Sequence, residues 1–212
     1  MQKISSSYCE VQFPIRGSFI PKDFHYFLHA SLCKELEGRH GVRSFPFILS
    51  GVRAVERQLV VGSKTRLTFR VFGDDLSKVL TLTNKVLNIG GVEVQLGLPQ
   101  RFELRASPSL DCRLVVFNLQ YLKDHKDLTF EETRQLYENR CMDELQVFGI
   151  ERPQFSLGKV SAPLRLKGRS IYGFSVRVLD LDPRSSLRLL EEGLGGKRNM
   201  GCGVFRPTRV FG

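Results

Sequence analysis

Apolar and polar residues alternate in several short segments of the chain, and in others the apolar residues recur every three or four positions. Alternation is typical of a half-buried strand, and the longer repeat is typical of a helix with one apolar face. In the first half, this pattern predicts a helix at Phe24–Leu36 that follows the start signal of Pro21 and Asp23. It also predicts strands at 11–15, 45–49, 58–61 and 66–72.

A second helix is predicted at Leu76–Val86, where an acidic pair at 74–75 supplies the cap. Two glycines at 90–91 then turn the chain into an alternating strand at Val92–Leu98. The resulting order is β-α-β-β-α-β, which is the order of the ferredoxin-like, split βαβ unit.

The same order starts again after a polar bridge around Ser107–Ser109. Thr129 is placed to cap a charged helix that runs to about Phe148, and Asp182 with Pro183 marks the start of another. Strands are predicted at 114–117, 154–166 and 170–179, with a last one near 204. We therefore predict an α+β protein of two tandem ferredoxin-like (RRM-like) domains, at residues 1–106 and 110–212.

The net charge of the chain indicates the class of partner that it binds. Lysine and arginine number 32 against 22 acidic residues, so the net charge is +10. Such a balance favours a polyanionic partner, because each neutralised phosphate releases condensed counterions. A small-molecule enzyme on the same fold is the alternative, but no cluster of acidic residues with histidine supports it.

The cysteines and histidines supply no metal-binding pattern. The five cysteines include no C-x-x-C pair, and the four histidines lack the spacing of a ligand set. We predict no metal and no cofactor. No apolar run approaches the roughly 20 residues of a membrane span, and the first residues lack a secretory signal. We therefore expect a cytoplasmic protein that has no membrane partner.

Residues 193–203 form a glycine-rich cationic segment, GLGGKRNMGCG. Glycine lets a backbone approach a phosphate and point N–H groups at it. The segment is not a nucleotide-binding P-loop, because the spacing G-x-x-x-x-G-K-[ST] is absent.

Residues 167–205 resemble the C-terminal signature of the CRISPR-associated repeat-processing endoribonucleases of the RAMP superfamily. That signature is a strand, a short helix and the loop GxGGxRxxGxGxF, which is matched at Gly193, Gly195, Gly196, Arg198, Gly201, Gly203 and Phe205. The N-terminal part, with VQFPIRG, Pro21, Tyr26, Leu28 and His40, is similar to the myxobacterial-type branch. Between about 50 and 150 the resemblance extends only to the order of strands.

The resemblance implies two ferredoxin-like domains and a CRISPR repeat RNA stem-loop as substrate. It also implies metal-independent cleavage of precursor transcripts on the 3′ side of the hairpin, by 2′-OH attack that leaves a 2′,3′-cyclic phosphate. Other subunits of a CRISPR effector complex are expected partners. The alternative within the same superfamily is a non-catalytic RNA-binding subunit of that complex.

Metal-free cleavage needs a base, an acid and cations that stabilise the charge on the phosphate. Histidine suits both proton roles, since its pKa lies near neutrality. His40 follows the helix where the resembling branch carries its histidine, and Arg39 and Arg43 beside it favour a neutral ring. His29 lies within the helix, as the catalytic histidine does in a related branch. We predict both as catalytic, and His25, one turn before His29, as a third candidate.

The residues expected to bind RNA are cations and loop glycines. Lys34 is a candidate for the scissile phosphate and Tyr26 a conceivable helper, as the family resemblance implies. The segment KVSAPLRLKGR alternates cations with apolar residues, so a strand would display several cations on one face. The full predicted set is Lys34, Arg39, Arg43, Lys159, Arg165, Lys167, Arg169, Gly195, Gly196, Lys197, Arg198 and Gly201.

Overall fold

The computed structural model describes residues 7–37, 45–56, 58–117, 128–160, 164–166 and 169–208. It is a mixed α+β fold. In the first half, residues 7–103, the helices are α1 (Phe24–Glu37) and the short α2 (Leu76–Leu80). The strands there are β1 (Tyr8–Arg16), β2 (Phe19–Pro21), β3 (Phe47–Ser50), β4 (Arg53–Val55), β5 (Gln58–Val60), β6 (Arg66–Phe72), β7 (Val86–Ile89), β8 (Val92–Leu96) and β9 (Gln100–Glu103).

The main sheet of the first half has β1 near its centre. Its strand order is β3-β6-β1-β8-β7, and β9 also pairs with β1. Alternate residues of β1 and β6, such as Phe13 and Phe69, point to one face and join the apolar core. Leu28 and Leu32 of α1 enter the same core, so α1 covers this face of the sheet.

The second half, residues 110–208, has its own sheet and core. Among its described residues, the helices are α3 (Phe130–Val147) and α4 (Pro183–Glu192). Its strands are β10 (Leu110–Val115), β11 (Gln154–Val160), β12 (Leu164–Leu166), β13 (Arg169–Ile171), β14 (Phe174–Leu179) and β15 (Arg206–Pro207). Four of these form the order β11-β14-β10-β15, and β12 pairs with β13 in a separate hairpin. The core of this half includes Leu110, Val176 and Leu190.

Capping residues fix the starts of α3 and α4, as the sequence predicts. Thr129 and Glu132 form a reciprocal capping box at the start of α3. The carboxylate of Asp182 accepts hydrogen bonds from the amides of Arg184 and Ser185, and Pro183 occupies the first turn of α4.

Several predicted boundaries are wrong. The second helix was predicted to reach Val86, but it ends at Leu80, and Val86 begins β7. The predicted strand at 154–166 is divided between β11 and β12, and the strand predicted from 170 is divided between β13 and β14. The last strand lies at Arg206–Pro207, just after the predicted position. No helix of the described residues is both long and apolar enough to span a bilayer.

Candidate active site

Helix α1 of the first half meets the glycine-rich segment of the second half. Tyr26 packs against a small apolar cluster that contains Met200 and Cys202 from the segment. The segment, which we call the glycine loop (residues 193–203), includes a short 3-10 turn at Arg198–Met200. The structure therefore brings the histidine-bearing helix and the cationic loop together, although more than 150 residues separate them in the sequence.

His25 makes a polar contact between helix and loop. Its Nδ1 donates a hydrogen bond of 2.6 Å to the carbonyl oxygen of Met200, because a carbonyl can only accept. The ring also stacks on Phe24, with 4.1 Å between ring centroids. Burial lowers the pKa of His25; the bond to Met200 opposes this effect, and the charge of Arg113 adds to it.

The lowered pKa of His25 predicts a pH-dependent stability. The ring gains a proton near its ordinary pKa in the unfolded chain but only at lower pH in the folded protein. The unfolded state therefore holds more protons below that ordinary value, and stability falls as the pH drops through it.

In His25→Asn the side-chain amide can still donate to Met200 but does not titrate. We expect a smaller loss of Tm between pH 7.5 and 5.5 than in the wild type. A His29→Asn variant is the matched control, and parallel curves for His25→Asn and wild type would contradict the assignment.

His29 lies one turn further along α1 and is half-buried. Its ring nitrogens Nδ1 and Nε2 lie 3.7 Å and 3.8 Å from Sγ of Cys33. Burial raises the pKa of the Cys33 thiol, so this neighbour remains an uncharged thiol near neutral pH. His29 therefore has a neutral, weakly polar neighbour on its own helix.

The glycines of the loop make room for Arg198. A Cβ atom at Gly193 would stand 3.1 Å from Cδ of Arg198, and one at Gly203 would stand 3.5 Å from its Cγ. The aliphatic stem of Arg198 thus lies over two glycines, while Lys197 and Arg198 are both exposed. This packing holds the stem that carries the guanidinium at the surface of the loop, which is a reason for the glycines that the sequence did not reveal.

Each of the five loop glycines uses its amide within the protein. The N–H of Gly195 donates to the Glu144 carboxylate at 2.8 Å, and that of Gly196 donates to the Val116 carbonyl at 2.8 Å. At Gly201 the N–H donates to the carbonyl of Arg198. The expected phosphate cradle of glycine amides therefore does not describe these three positions. Their binding of RNA stays a prediction that would have to involve other atoms.

The cationic hairpin lies beside α1. Strand β12 contacts α1, so the backbone that carries Arg165 runs along the same helix as the candidate histidines. Of the predicted RNA-binding residues here, Lys159, Arg165 and Arg169 are described in their backbone alone, and Lys167 lies outside the described residues. The hairpin and the histidine helix are therefore neighbours, which a shared RNA substrate requires.

Three other predicted site residues, His40, Arg39 and Arg43, also lie outside the described residues. Lys34 is described and exposed. It is five positions from His29, which places it roughly 140° away around the helix. Lys34 and His29 therefore point in different directions from α1.

His25 also lines a cavity of about 370 Å³ between the two halves. Cationic side chains around this cavity come from Lys22, Arg113 and Arg206, and Ile48 and Leu59 contribute apolar surface. Within the described ranges, no three side chains of His, Cys, Asp or Glu lie close enough together to hold a metal ion.

A histidine-bearing helix, a cationic glycine loop and a basic hairpin thus lie together on an α+β fold. Comparison with known proteins identifies the family to which this chain belongs. The Cas6 family model, described as "Cas6 Crispr", matches residues 9–210. The chain belongs to the Cas6 family, which confirms the resemblance drawn from its two ends.

Relatives support the same assignment. The chain is 29% identical over 201 residues to the "CRISPR-associated endonuclease Cas6" of Myxococcus xanthus (strain DK1622), covering 94% of this chain and 81% of that protein. Among solved structures, a "CRISPR associated protein Cas6" matches with a TM-score of 0.67 at 15% identity, covering 95% of this chain and all of that one. "An RAMP protein binding different RNA substrates" matches with a TM-score of 0.65 at 12% identity, covering 95% and 99%. These two structures share the fold of this chain.

Proposed function

We propose that this protein is a metal-independent endoribonuclease that cleaves CRISPR repeat hairpins in precursor transcripts to give guide RNA. The observation that carries the proposal is the contact of the glycine loop with the histidine helix, through His25 and Met200, in a chain of the Cas6 family. The 29% identical relative from Myxococcus xanthus is named an endonuclease, which supports the reaction class. The net charge of +10 suits an RNA substrate.

In the proposed reaction a base takes the proton of a 2′-OH group, and the freed oxygen attacks the adjacent phosphorus. The bond from phosphorus to the 5′ oxygen breaks as an acid protonates that oxygen, which leaves a 2′,3′-cyclic phosphate and a 5′-OH. We assign the two proton roles to His29 and His40 without dividing them. Arg198 and Lys197 would stabilise the charge on the phosphate, since both are exposed on the loop.

The proposal gives His25 a different role from that of the other two histidines. Its Nδ1 is bonded to the loop backbone, and its lowered pKa favours a neutral ring. A side chain held in this way orients the loop against α1. It would therefore assist the reaction by position, although the sequence named it as a third catalytic candidate.

We also propose that each half is a ferredoxin-like domain, with the boundary between 106 and 110. Numbering the four main strands of each half by their place in the chain gives the spatial order 2-3-1-4 in both sheets. That order is seen in β3-β6-β1-β8 and again in β11-β14-β10-β15. Separate apolar cores, one for each sheet, support the same division.

The substrate would be held chiefly through its phosphates and its shape. The hairpin of β12 and β13 carries Arg165 and Arg169 beside α1, so it could follow the backbone of an RNA stem. We propose that other subunits of a CRISPR effector complex receive the product.

The test is to incubate the purified protein with its repeat RNA in excess EDTA. We expect cleavage at one position on the 3′ side of the hairpin, at a rate that added Mg²⁺ does not raise. The upstream product should resist 3′ end labelling until a phosphatase that opens cyclic phosphates is applied. Cleavage only after Mg²⁺ is restored would refute the mechanism, and tight binding without cleavage would favour a non-catalytic RNA-binding subunit.

A further inference from the structure

Arg70 is a buried charged residue that joins the two halves. It lies on β6, in the main sheet of the first half, and its side chain is only 2% exposed. One guanidinium nitrogen, Nη1, donates to the carbonyl of Leu190, while Nη2 donates to the carbonyl of Phe205 at 2.8 Å and to the Glu10 carboxylate at 2.6 Å. Burial of an arginine is costly unless it is paired and hydrogen-bonded. The two Nη atoms offset this cost through these contacts, whereas the buried Nε has no hydrogen-bond partner among the described residues.

The two carbonyls flank the glycine loop. Leu190 comes three residues before the start of the loop at 193, and Phe205 two residues after its end at 203. Between them, the amide of Leu194 donates to the carbonyl of Gly203 at 3.0 Å, which closes the neck of the loop. The guanidinium of Arg70 therefore connects the residues before and after the glycine loop to the main sheet of the first half; we call this connection the tie.

The tie lies on the opposite face of the sheet from the histidines. Leu67 and Phe69 of β6 point into the core that α1 covers, whereas Arg70 points to the other face because side chains alternate along a strand. From there the loop passes the edge strand β3, where a Cβ at Gly201 would stand 3.0 Å from the Phe47 ring. At its far end Met200 reaches His25 on α1.

We infer that Arg70 is a positioning residue for the proposed RNA cleavage, since it sets where the cations of the glycine loop lie relative to the histidine helix. The inference rests on the proposed function. The planar fork of an arginine reaches two carbonyls and a carboxylate at once, whereas a lysine has a single ammonium group. Arg70→Lys keeps the charge beside Glu10 but loses the fork, so it separates the geometry of the tie from its charge.

The experiment compares Arg70→Lys and Arg70→Met with wild type in single-turnover cleavage, RNA binding and hydrogen exchange. The matched control is Arg66→Met, because Arg66 lies on the same strand and donates to the carbonyls of Ser63 and Thr65 within its own half. We expect cleavage by Arg70→Lys to slow by about tenfold to a hundredfold, since small misplacements of reacting groups have effects of this size. The RNA Kd of Arg70→Lys should stay within about threefold of wild type, because we assign most of the RNA binding to the hairpin of β12 and β13.

Hydrogen exchange reports on the loop without any need for activity. The hydrogen-bonded amides of Gly195, Gly196 and Gly203 should exchange faster in both Arg70 variants, while those of α3 keep their protection. If Arg70→Met does not fold, Arg70→Lys alone decides the matter. Three results for Arg70→Lys would each overturn the inference: a cleavage rate and an RNA affinity reduced by the same factor, a wild-type cleavage rate, or unchanged hydrogen exchange of the loop amides. If the wild type itself does not cleave repeat RNA, the proposed function fails, and faster loop exchange would still establish the tie.

Discussion

Replacing His29 and His40 together by alanine is expected to reduce the cleavage of repeat RNA by a factor of about 1,000 or more. Positioned general acids and bases contribute roughly 100-fold to 10,000-fold, and the double variant would remove both. The measurement is single-turnover cleavage under saturating protein, so that weakened binding does not enter the rate. The RNA Kd should change little, because we assign the binding of the RNA phosphates to the lysines and arginines of the hairpin and the glycine loop.

The single variants divide the roles of the two histidines. If His29 and His40 act as a pair, each single alanine variant should lose most of the activity, and the double variant should be little worse than the poorer single variant. His125→Ala is the matched control, since it removes the histidine that we do not assign to the site. Cleavage at more than about a tenth of the wild-type rate by the double variant would exclude this assignment.

Elements with a long periodic pattern were predicted well. Helix α1 and strand β6 were predicted to within one residue, since fourteen and seven residues give a clear period. Strands β2 and β4, of three residues each, are too short to show a period and were not predicted, whereas the equally short β5 was predicted at 58–61. The apolar Val86 fitted the helical repeat of α2, but its strand forms because it pairs with Gln95 of β8.

The pattern on β6 illustrates why contacts between the halves were missed. Its alternation predicts a half-buried strand with Thr68 and Arg70 facing water. Both are buried, because the second half covers that face of the sheet. A local pattern reports only on one element and its own neighbours, whereas the partners of Arg70 lie 120 and 135 residues away.

The sequence pointed to some parts of the candidate site and gave no sign of others. The glycine motif marked the loop and Arg198 as candidates, and their binding of RNA stays a prediction. The amides of Gly195 and Gly196, which the motif led us to expect at a phosphate, bond within the protein. The contact of His25 with Met200 spans 175 residues, and nothing in the local sequence indicates it. The reason is physical: motifs record which residues are required, but hydrogen-bond partners follow from the packing of distant elements.

A single methyl group at Gly203 is expected to have the second large effect. This residue has φ of +65°, a conformation that costs a residue with a side chain roughly 1–3 kcal/mol. A Cβ would also stand 2.0 Å from the carbonyl oxygen of Leu194, so the closed neck of the loop would have to open. We expect Gly203→Ala to lose about 3 kcal/mol of stability, a fall in Tm of roughly 6–12 °C.

The effect of Gly203→Ala on cleavage should exceed its effect on RNA binding. Once the two ends of the loop separate, the stem of Arg198 no longer packs against Gly193 and Gly203, so its guanidinium is no longer held in place. The control is Gly62→Ala, outside the loop and outside the predicted site, where an added Cβ would meet no heavy atom within 4 Å. That variant should fold and cleave nearly as the wild type does. Thermal melting and single-turnover cleavage of both variants provide the check. A folded Gly203→Ala protein with full activity would show that the closed form of the loop takes no part in the reaction, and the proposed role of Arg198 would then fail with it.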